Sequence, residues 1–422
     1  MPSHAPIPTH ARRLRGTIDR RRLVSFAGAT LAGTVTTRSV AAQGDASPGH
    51  GLLATPETPS GGPQSLLDLL ALVPLQIREA GTDGGMVWQF ADLATQLEAL
   101  GIAQETGGEE LPEGFLNAMH PLAVGSPAFN YALDAEFIAA IGFSPLETHR
   151  SLFAGGGTSR VSIFQGGMAM ADLPSAWAES GYTELAAADG TTFWTLGDDG
   201  EIDFEHTIQR RVIANFNNAA ILDDVLVYAS ERALLEVAIA TWRGESSSLA
   251  EDPDIQPALA AMPGDTVSAV GLDPAGLGPI AFVLEDVAAE VEAAFDASDE
   301  AVGQMPAATG MVFGITEGFT VIPPDAATPV ATPDVSAGEG LIVVRIATGS
   351  EEDAAQVASV VEYRWENWSS LATGEPFMEL MPLQSATATG TVAELTFIDP
   401  RAPRVWFEIV VRGDVLPFLP RP

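Results

Sequence analysis

The order of strand and helix patterns in the middle of the chain constrains the fold more than any other feature of the sequence. A strand pattern leads to a helix, then to a further strand, a hairpin, a second helix and a last strand. These segments span residues 160–167, 172–180, 191–196, 219–229, 231–242 and 265–272. The order β-α-β-β-α-β, with one extra edge element, is typical of a split βαβ unit.

The C-terminal part of the chain shows a similar succession. Its helix and strand patterns cover 284–295, 311–322, 341–347, a helix that begins after Ser350, 392–398 and 404–411. Ser350 with Asp353 resembles a capping box, which predicts that helix start. We therefore predict an α+β fold of two tandem split-βαβ, or ferredoxin-like, units. Each unit would be an antiparallel sheet with helices packed on one face.

The N-terminal segment combines a basic stretch, a short apolar run and a site of small residues. Six arginines lie among the first 22 residues, an apolar run extends from Leu23 to Val35, and small residues end at Ala42. This arrangement is typical of a secretory signal peptide. Arg20, Arg21 and Leu23 resemble the twin-arginine (Tat) export signal, with Leu23 where that signal usually has Phe. The resemblance implies export of an already folded chain and cleavage after Ala42.

The sequence divides into four predicted regions. Residues 43–64 are rich in Pro, Gly, Ser and Thr, which favours a flexible linker, and a second Pro-rich stretch reads as a loop exposed to solvent. The regions are a signal peptide (1–42), the linker (43–64), an α+β domain (65–265), and a second α+β domain (266–422) that carries the Pro-rich loop (323–340).

The charge of the chain limits its partners. The whole chain has a net charge of −36, and removal of residues 1–42 leaves 13 of the 20 basic and 55 of the 56 acidic residues, a net charge of −42. Such a surface repels nucleic acid and anionic lipid, so we expect neither as a partner. The apolar run of the signal is too short to span a membrane, no later segment is long and apolar enough, and we expect no transmembrane helix after signal removal.

Two missing residue types exclude several kinds of chemistry. The chain has no cysteine, which excludes disulfides, thiolate nucleophiles and Cys-ligated metal centres. All 20 basic residues are arginine, which excludes a Schiff-base lysine and a P-loop lysine. The motifs HExxH and GxSxG are also absent. The sequence therefore favours a non-catalytic protein over an enzyme.

The densest acidic segment is LGDDGEIDFEH, residues 196–206. Clustered carboxylate oxygens are ligands that calcium prefers, so Asp198, Asp199, Glu201 and Asp203 are candidate calcium ligands. An EF-hand is excluded because, with Gly200 at position 6, the first and last ligand positions hold Thr195 and His206. The alternative interpretation is a solvated turn after a strand, which the acidic composition favours.

These observations favour an exported protein that binds a protein or small-molecule ligand, or has a structural role, outside the cytoplasmic membrane. Its location would be extracellular, on the cell surface or periplasmic. The wider pattern is similar to that of uncharacterised exported bacterial proteins. Two alternatives stay open: a secreted hydrolase that uses Asp or Glu groups, and a calcium-dependent surface protein. No other cofactor is indicated.

Overall fold

The computed structural model describes most of the chain after the linker. The described residues are 63–80, 85–99, 125–156, 158–186, 190–274, 285–316, 341–371, 373–398 and 415–421. The predicted export signal, with Arg20, Arg21, Leu23 and Ala42, lies outside them, as do the loop 323–340 and the strand predicted over 404–411. The first helix begins at Pro63, one residue before the predicted end of the linker.

The described residues form one sheet of twelve strands, in the order β11-β12-β10-β9-β8-β1-β2-β3-β7-β6-β5-β4, and every neighbouring pair is antiparallel. The strands are β1 (Val87–Asp92), β2 (Arg150–Gly156), β3 (Ser159–Gln165), β4 (Thr183–Ala186), β5 (Thr192–Thr195), β6 (Asn218–Leu222), β7 (Val225–Ala229), β8 (Thr266–Leu272), β9 (Ala308–Thr316), β10 (Ile342–Thr348), β11 (Leu383–Thr389) and β12 (Val392–Phe397).

The α-helices of the described residues range from one turn to five. They are α1 (Pro63–Leu70), α2 (Ile77–Ala80), α3 (Leu93–Ala99), α4 (Ala135–Ile141), α5 (Leu173–Glu179), α6 (Gln209–Val212), α7 (Arg232–Trp242), α8 (Gln256–Ala260), α9 (Glu285–Val302), α10 (Glu351–Asn367) and α11 (Phe377–Leu380). No described helix is both long and apolar enough to cross a lipid bilayer.

The prediction of two ferredoxin-like units is wrong, because β1 and β8 join the two halves of the chain into a single sheet. Phe90 lies opposite Ala269, and the antiparallel pairing runs from Val87–Leu272 to Ala91–Ser268. The segments predicted over 160–167, 172–180, 191–196, 219–229 and 231–242 do form, as β3, α5, β5, the β6–β7 hairpin and α7, and β8 follows them. The structure adds β4, α6 and α8 to this succession, and the strands pair differently from those of a split βαβ unit.

The helices cover both faces of the sheet, which corrects the prediction that they pack on one face. On face A, α3 to α6 and α9 to α11 contribute to one apolar cluster, in which Phe164 of β3 and Phe397 of β12 both take part. On face B, α1, α2, α7 and α8 contribute to a second cluster around Trp88 and Ile163. Strands buried on both faces lose the alternation of apolar and polar residues that marks a half-exposed strand.

Strand β2 illustrates the loss of alternation. All seven residues from Arg150 to Gly156 are buried, and the sequence RSLFAGG combines an arginine with two glycines. Such a sequence lacks a strand pattern, yet Gly155 and Gly156 are part of the strand. Glycine has a low β-propensity, so these two residues are held in the strand by their pairing with Arg160 and Ser159 of β3.

Candidate functional site

Exposed apolar side chains identify a candidate site on face A. Six large apolar side chains of the described residues are exposed, and four of them flank the short helix α6. These four are Phe204 (69% exposed), Leu133 (44%), Ile202 (37%) and Ile213 (36%). We call these four side chains, together with the carboxylates of Asp134, Glu136, Asp198, Asp199, Glu201, Asp203 and Glu205, the Phe204 surface.

Hydrogen bonds to α6 link the segments that carry these side chains. The backbone N–H of Asp203 donates to Oε1 of Gln209, the first residue of α6, over 2.8 Å. Ile213 follows the last residue of α6, and a four-residue helix is about 6 Å long. On the other side, Arg211 of α6 donates through Nε to Oδ2 of Asp134, over 2.7 Å, and Asp134 follows Leu133 in the chain.

The acidic loop that presents Ile202 and Phe204 is held by two buried amides. Gln209 donates through Nε2 to the carbonyl oxygen of Glu201 (3.2 Å) and to Oδ1 of Asn217 (2.9 Å). Asn217 in turn donates through Nδ2 to the same Glu201 carbonyl, over 3.0 Å. Both amides are nearly inaccessible to solvent. The backbone of the loop is therefore fixed before anything binds, which lowers the entropic cost of binding.

Three of the four candidate calcium ligands already use their carboxylates in hydrogen bonds to separate parts of the backbone. Oδ1 of Asp199 accepts from the backbone N–H of Arg232, at the start of α7, over 2.8 Å, and so caps that helix from a distance. Oδ1 of Asp203 accepts from the N–H of Glu205 (2.8 Å), and Oε2 of Glu201 accepts from the N–H of Asp198 (3.2 Å). No group of three or more potential metal-ligating side chains converges anywhere in the part of the chain that the structure describes. A calcium site formed by Asp198, Asp199, Glu201 and Asp203 stays a prediction.

Helix α4 carries the second acidic part of the Phe204 surface. Asp134 caps α4 by accepting from the N–H groups of Glu136 (3.0 Å) and Phe137 (3.1 Å). Burial raises the pKa of Asp134, but the hydrogen bond from Arg211 and the two backbone N–H groups outweigh it and lower that pKa below its usual value. Arg210 donates to Oε2 of Glu136 over 2.6 Å, so both arginines of α6 are already paired.

Ile213 has a strained backbone conformation. Its φ of 55° and ψ of −139° lie in a region that a β-branched residue rarely adopts, at a cost of about 1–3 kcal/mol. The chain on both sides is fixed: Val212 is buried, and the ring of Phe216 stacks on Tyr228 with a centroid distance of 3.9 Å. The hydroxyl of Tyr182 donates to the Phe216 carbonyl over 2.5 Å. The core thus holds Ile213 in this strained, exposed position.

The buried tyrosines beneath the surface are structural. Burial raises the pKa of Tyr182 and of Tyr228 well above the usual value for a phenol, so both stay neutral. The indole of Trp177 donates through Nε1 to the Tyr228 hydroxyl, over 3.2 Å. This aromatic cluster supports the Phe204 surface from inside.

A second concave feature lies on face B, at the C-terminal end of α7. This cleft of about 450 Å³ is lined by Trp242, by the serines 246–248 and by the carboxylates of Glu245 and Glu251. Ser248 and Glu251 already bind each other's backbone as a capping box. Trp242 is 37% exposed there. The cleft is open and mostly polar, so it presents fewer apolar contacts than the Phe204 surface.

The arginines of the described residues are all engaged with groups of the protein itself. Each of the ten contacts a carboxylate, an amide or carbonyl oxygen, or a hydroxyl: Arg78, Arg150, Arg160, Arg210, Arg211, Arg232, Arg243, Arg345, Arg364 and Arg421. Arg364 is fully buried, and burial lowers its pKa to about 10, against the opposing effect of Asp299. An anionic ligand would therefore have to compete with an existing contact for any of these guanidinium groups.

Comparison with known proteins adds no family to this picture. No protein-family model, no curated protein and no solved structure matches the chain significantly. The function is therefore inferred from the residues of the chain itself. Sequence reasoning identified the acidic loop but missed Ile202 and Phe204 within it. Their alternation with acids in GEIDFEH, outside any strand, is the signal that could have found them.

Proposed function

We propose that this is an exported, non-catalytic protein that binds a protein partner outside the cytoplasmic membrane through the Phe204 surface. The observation that carries the proposal is the grouping of four exposed apolar side chains within a rim of carboxylates. Apolar side chains rimmed by polar groups mark protein-binding surfaces, and aromatic residues often contribute much of the binding energy. A small molecule would instead favour a concave apolar pocket.

Two further features support the binding role. The backbone of the loop is fixed by Gln209 and Asn217, so Phe204 is presented without a large ordering cost on binding. The conformation of Ile213 costs folding energy, and such strain clusters at functional sites. The export part of the proposal is supported by the sequence pattern at Arg20, Arg21 and Leu23.

The binding role is tested by photo-crosslinking from the surface. A photoreactive benzoylphenylalanine replaces Phe204, and the matched control carries it at Leu371, which is 47% exposed and lies outside the surface. We expect a discrete crosslinked protein from position 204 and none from position 371. The partner, once identified by mass spectrometry and purified, should bind the wild-type chain at least tenfold more tightly than the Phe204→Ser chain. Equal crosslinking from both positions would refute the binding role.

Export is tested by the pair Arg20→Lys and Arg21→Lys. The control replaces Arg12 and Arg13, which lie in the same basic segment but outside the twin-arginine pattern. We expect the first variant to stay in the cytoplasm at full length, and the control chain to be exported and to begin at Gln43. Export of both variants to the same extent would contradict this part of the proposal.

A further inference from the structure

The charge of the Phe204 surface indicates the chemistry of its partner. Seven carboxylates and two guanidinium groups give the surface a net charge of −5. Both guanidinium groups are paired with Asp134 or Glu136, and the remaining five acids, on the loop 198–205, form no ion pair with a basic side chain of the described residues. Close approach of an acidic segment would be opposed, and approach of a basic one would be accelerated.

Two of these carboxylates are free to receive a cation. The carboxylates of Asp198 and Glu205 accept no hydrogen bond from the described residues, and both side chains are exposed. Glu205 follows Phe204 directly, and Asp198 lies on the far side of Ile202 in the loop. Acceptors on both sides of the apolar pair match a ligand that has donors on both sides of an apolar group. Arginine and lysine are the side chains that supply such donors.

Resting on the function proposed above, we propose that the partner presents a polypeptide segment in which an apolar side chain is flanked by arginine or lysine. The apolar side chain packs against Phe204 and Ile202, and the flanking cations pair with the loop carboxylates. The pairs at the rim set the rate of association and the choice of partner, whereas the apolar contact sets the lifetime of the complex.

Three labelled peptides of equal length test this inference on the full chain by fluorescence anisotropy. The first places Leu and Phe between arginines, the second replaces Leu and Phe with serine, and the third replaces the arginines with glutamate. We expect the first peptide to bind at least tenfold more tightly than the second, and the third not to bind. Raising the salt concentration from 50 to 200 mM should weaken the first peptide several-fold.

Matched variants test whether peptide binding depends on the Phe204 surface or only on the negative charge of the whole chain. Phe204→Ser should weaken the first peptide about tenfold, whereas Leu371→Ser should leave its affinity unchanged, with both variants melting at the wild-type temperature. Equal binding of the first two peptides, binding of the third, or no effect of Phe204→Ser would overturn the inference. If the crosslink from position 204 persists in that case, the binding role survives and only the partner chemistry is wrong.

Two other occupants of the Phe204 surface, a second copy of the chain and the chain's own N-terminal segment, would each give a different result. A change from dimer to monomer on Phe204→Ser, measured by light scattering, would assign the surface to a second copy of the chain and overturn the inference. Tighter peptide binding after Arg20, Arg21 and Arg22 are changed to serine would assign it to the chain's own N-terminal segment, with the same consequence.

Discussion

Arg78 tests how strongly one arginine that contacts several carboxylates stabilises the fold of this chain. It lies in α2 and contacts three carboxylates: Nη1 is 2.7 Å from Oδ2 of Asp252 and 2.7 Å from Oδ2 of Asp254, and Nε is 3.3 Å from Oδ2 of Asp273. Burial lowers the pKa of Arg78, but the three carboxylates outweigh it and raise that pKa above the usual value. The guanidinium thus ties α2 to the segment before α8 and to the end of β8.

The expected loss of stability on Arg78→Met follows from how exposed the partner carboxylates are. The Asp252 side chain is 2% exposed, so Arg78→Met would leave a buried carboxylate without its counter-charge, a change that costs about 3–5 kcal/mol. Asp254 is 47% exposed, and its pair is worth about 0–1 kcal/mol. Because Arg78 itself is 22% exposed, water can partly replace it, and we expect the lower end of the range, about 3 kcal/mol.

Urea unfolding followed by tryptophan fluorescence measures this cost. In a double-mutant cycle, Arg78→Met should cost only about 1 kcal/mol when Asp252 is already Asn, because the two carboxylates that then lose Arg78, Asp254 and Asp273, are both more exposed than Asp252. The matched control is Arg232→Met, whose partner Glu236 is 51% exposed; it should cost less than about 0.5 kcal/mol. A cost below about 1 kcal/mol for Arg78→Met, or the same cost in both backgrounds, would refute the reasoning.

Three further predictions test the packing and the site. Gly271→Ala should destabilise the protein by about 3 kcal/mol in urea unfolding, because the new Cβ would lie 1.9 Å from the buried ring of Trp88; Gly349→Ala, whose Cβ meets no atom closer than 3.8 Å, should be nearly neutral. Ile213→Gly should leave the free energy of unfolding unchanged or raise it by about 1 kcal/mol, because glycine relieves the positive φ. The control Ile202→Gly, at a similarly exposed position, should lower the free energy of unfolding by about 0.5–1 kcal/mol. Equal losses in the two variants would show that Ile213 is not strained. Since the pKa of Asp134 is lowered on folding, the stability it contributes is complete above the unfolded value of about 3.9 and is lost as the pH falls through the folded value. The stability difference between wild type and Asp134→Asn should therefore shrink below about pH 4, and a difference that stays constant to pH 2 would argue against it.

Local patterns predicted many of the individual elements because their signals are carried by neighbouring residues. The sequence around Trp88 has the alternation typical of a strand, and the structure has β1 there, at Val87–Asp92. It predicted the start of α10 from Ser350, whose Oγ accepts from the N–H of Asp353 over 3.1 Å. Such caps and alternations extend over three to six residues, so a single sequence displays them in full.

The sheet order could not be predicted in the same way. The pairing of β1 with β8 joins residues about 180 positions apart, and nothing in either strand specifies that partner. Part of the match is steric: Gly271 of β8 leaves the space that the Trp88 ring of β1 fills. A glycine opposite a tryptophan becomes meaningful only once the two strands are known to be neighbours, so the sequence favoured two separate sheets instead.

The candidate site could not be predicted from local patterns either. Its energetic costs, however, are a reason to regard it as functional. Three energetic costs meet around α6: Phe204 exposes 69% of its surface, like charges crowd the loop 198–205, and Ile213 holds a positive φ. Each cost breaks a rule that the rest of the sheet obeys, where large aromatic side chains are buried. Natural sequences break such rules mainly at functional or strained sites. Gln209 and Asn217, both buried, hold the loop in this unfavourable arrangement, so the exposure of Phe204 is built into the fold rather than left by a lack of core to cover it.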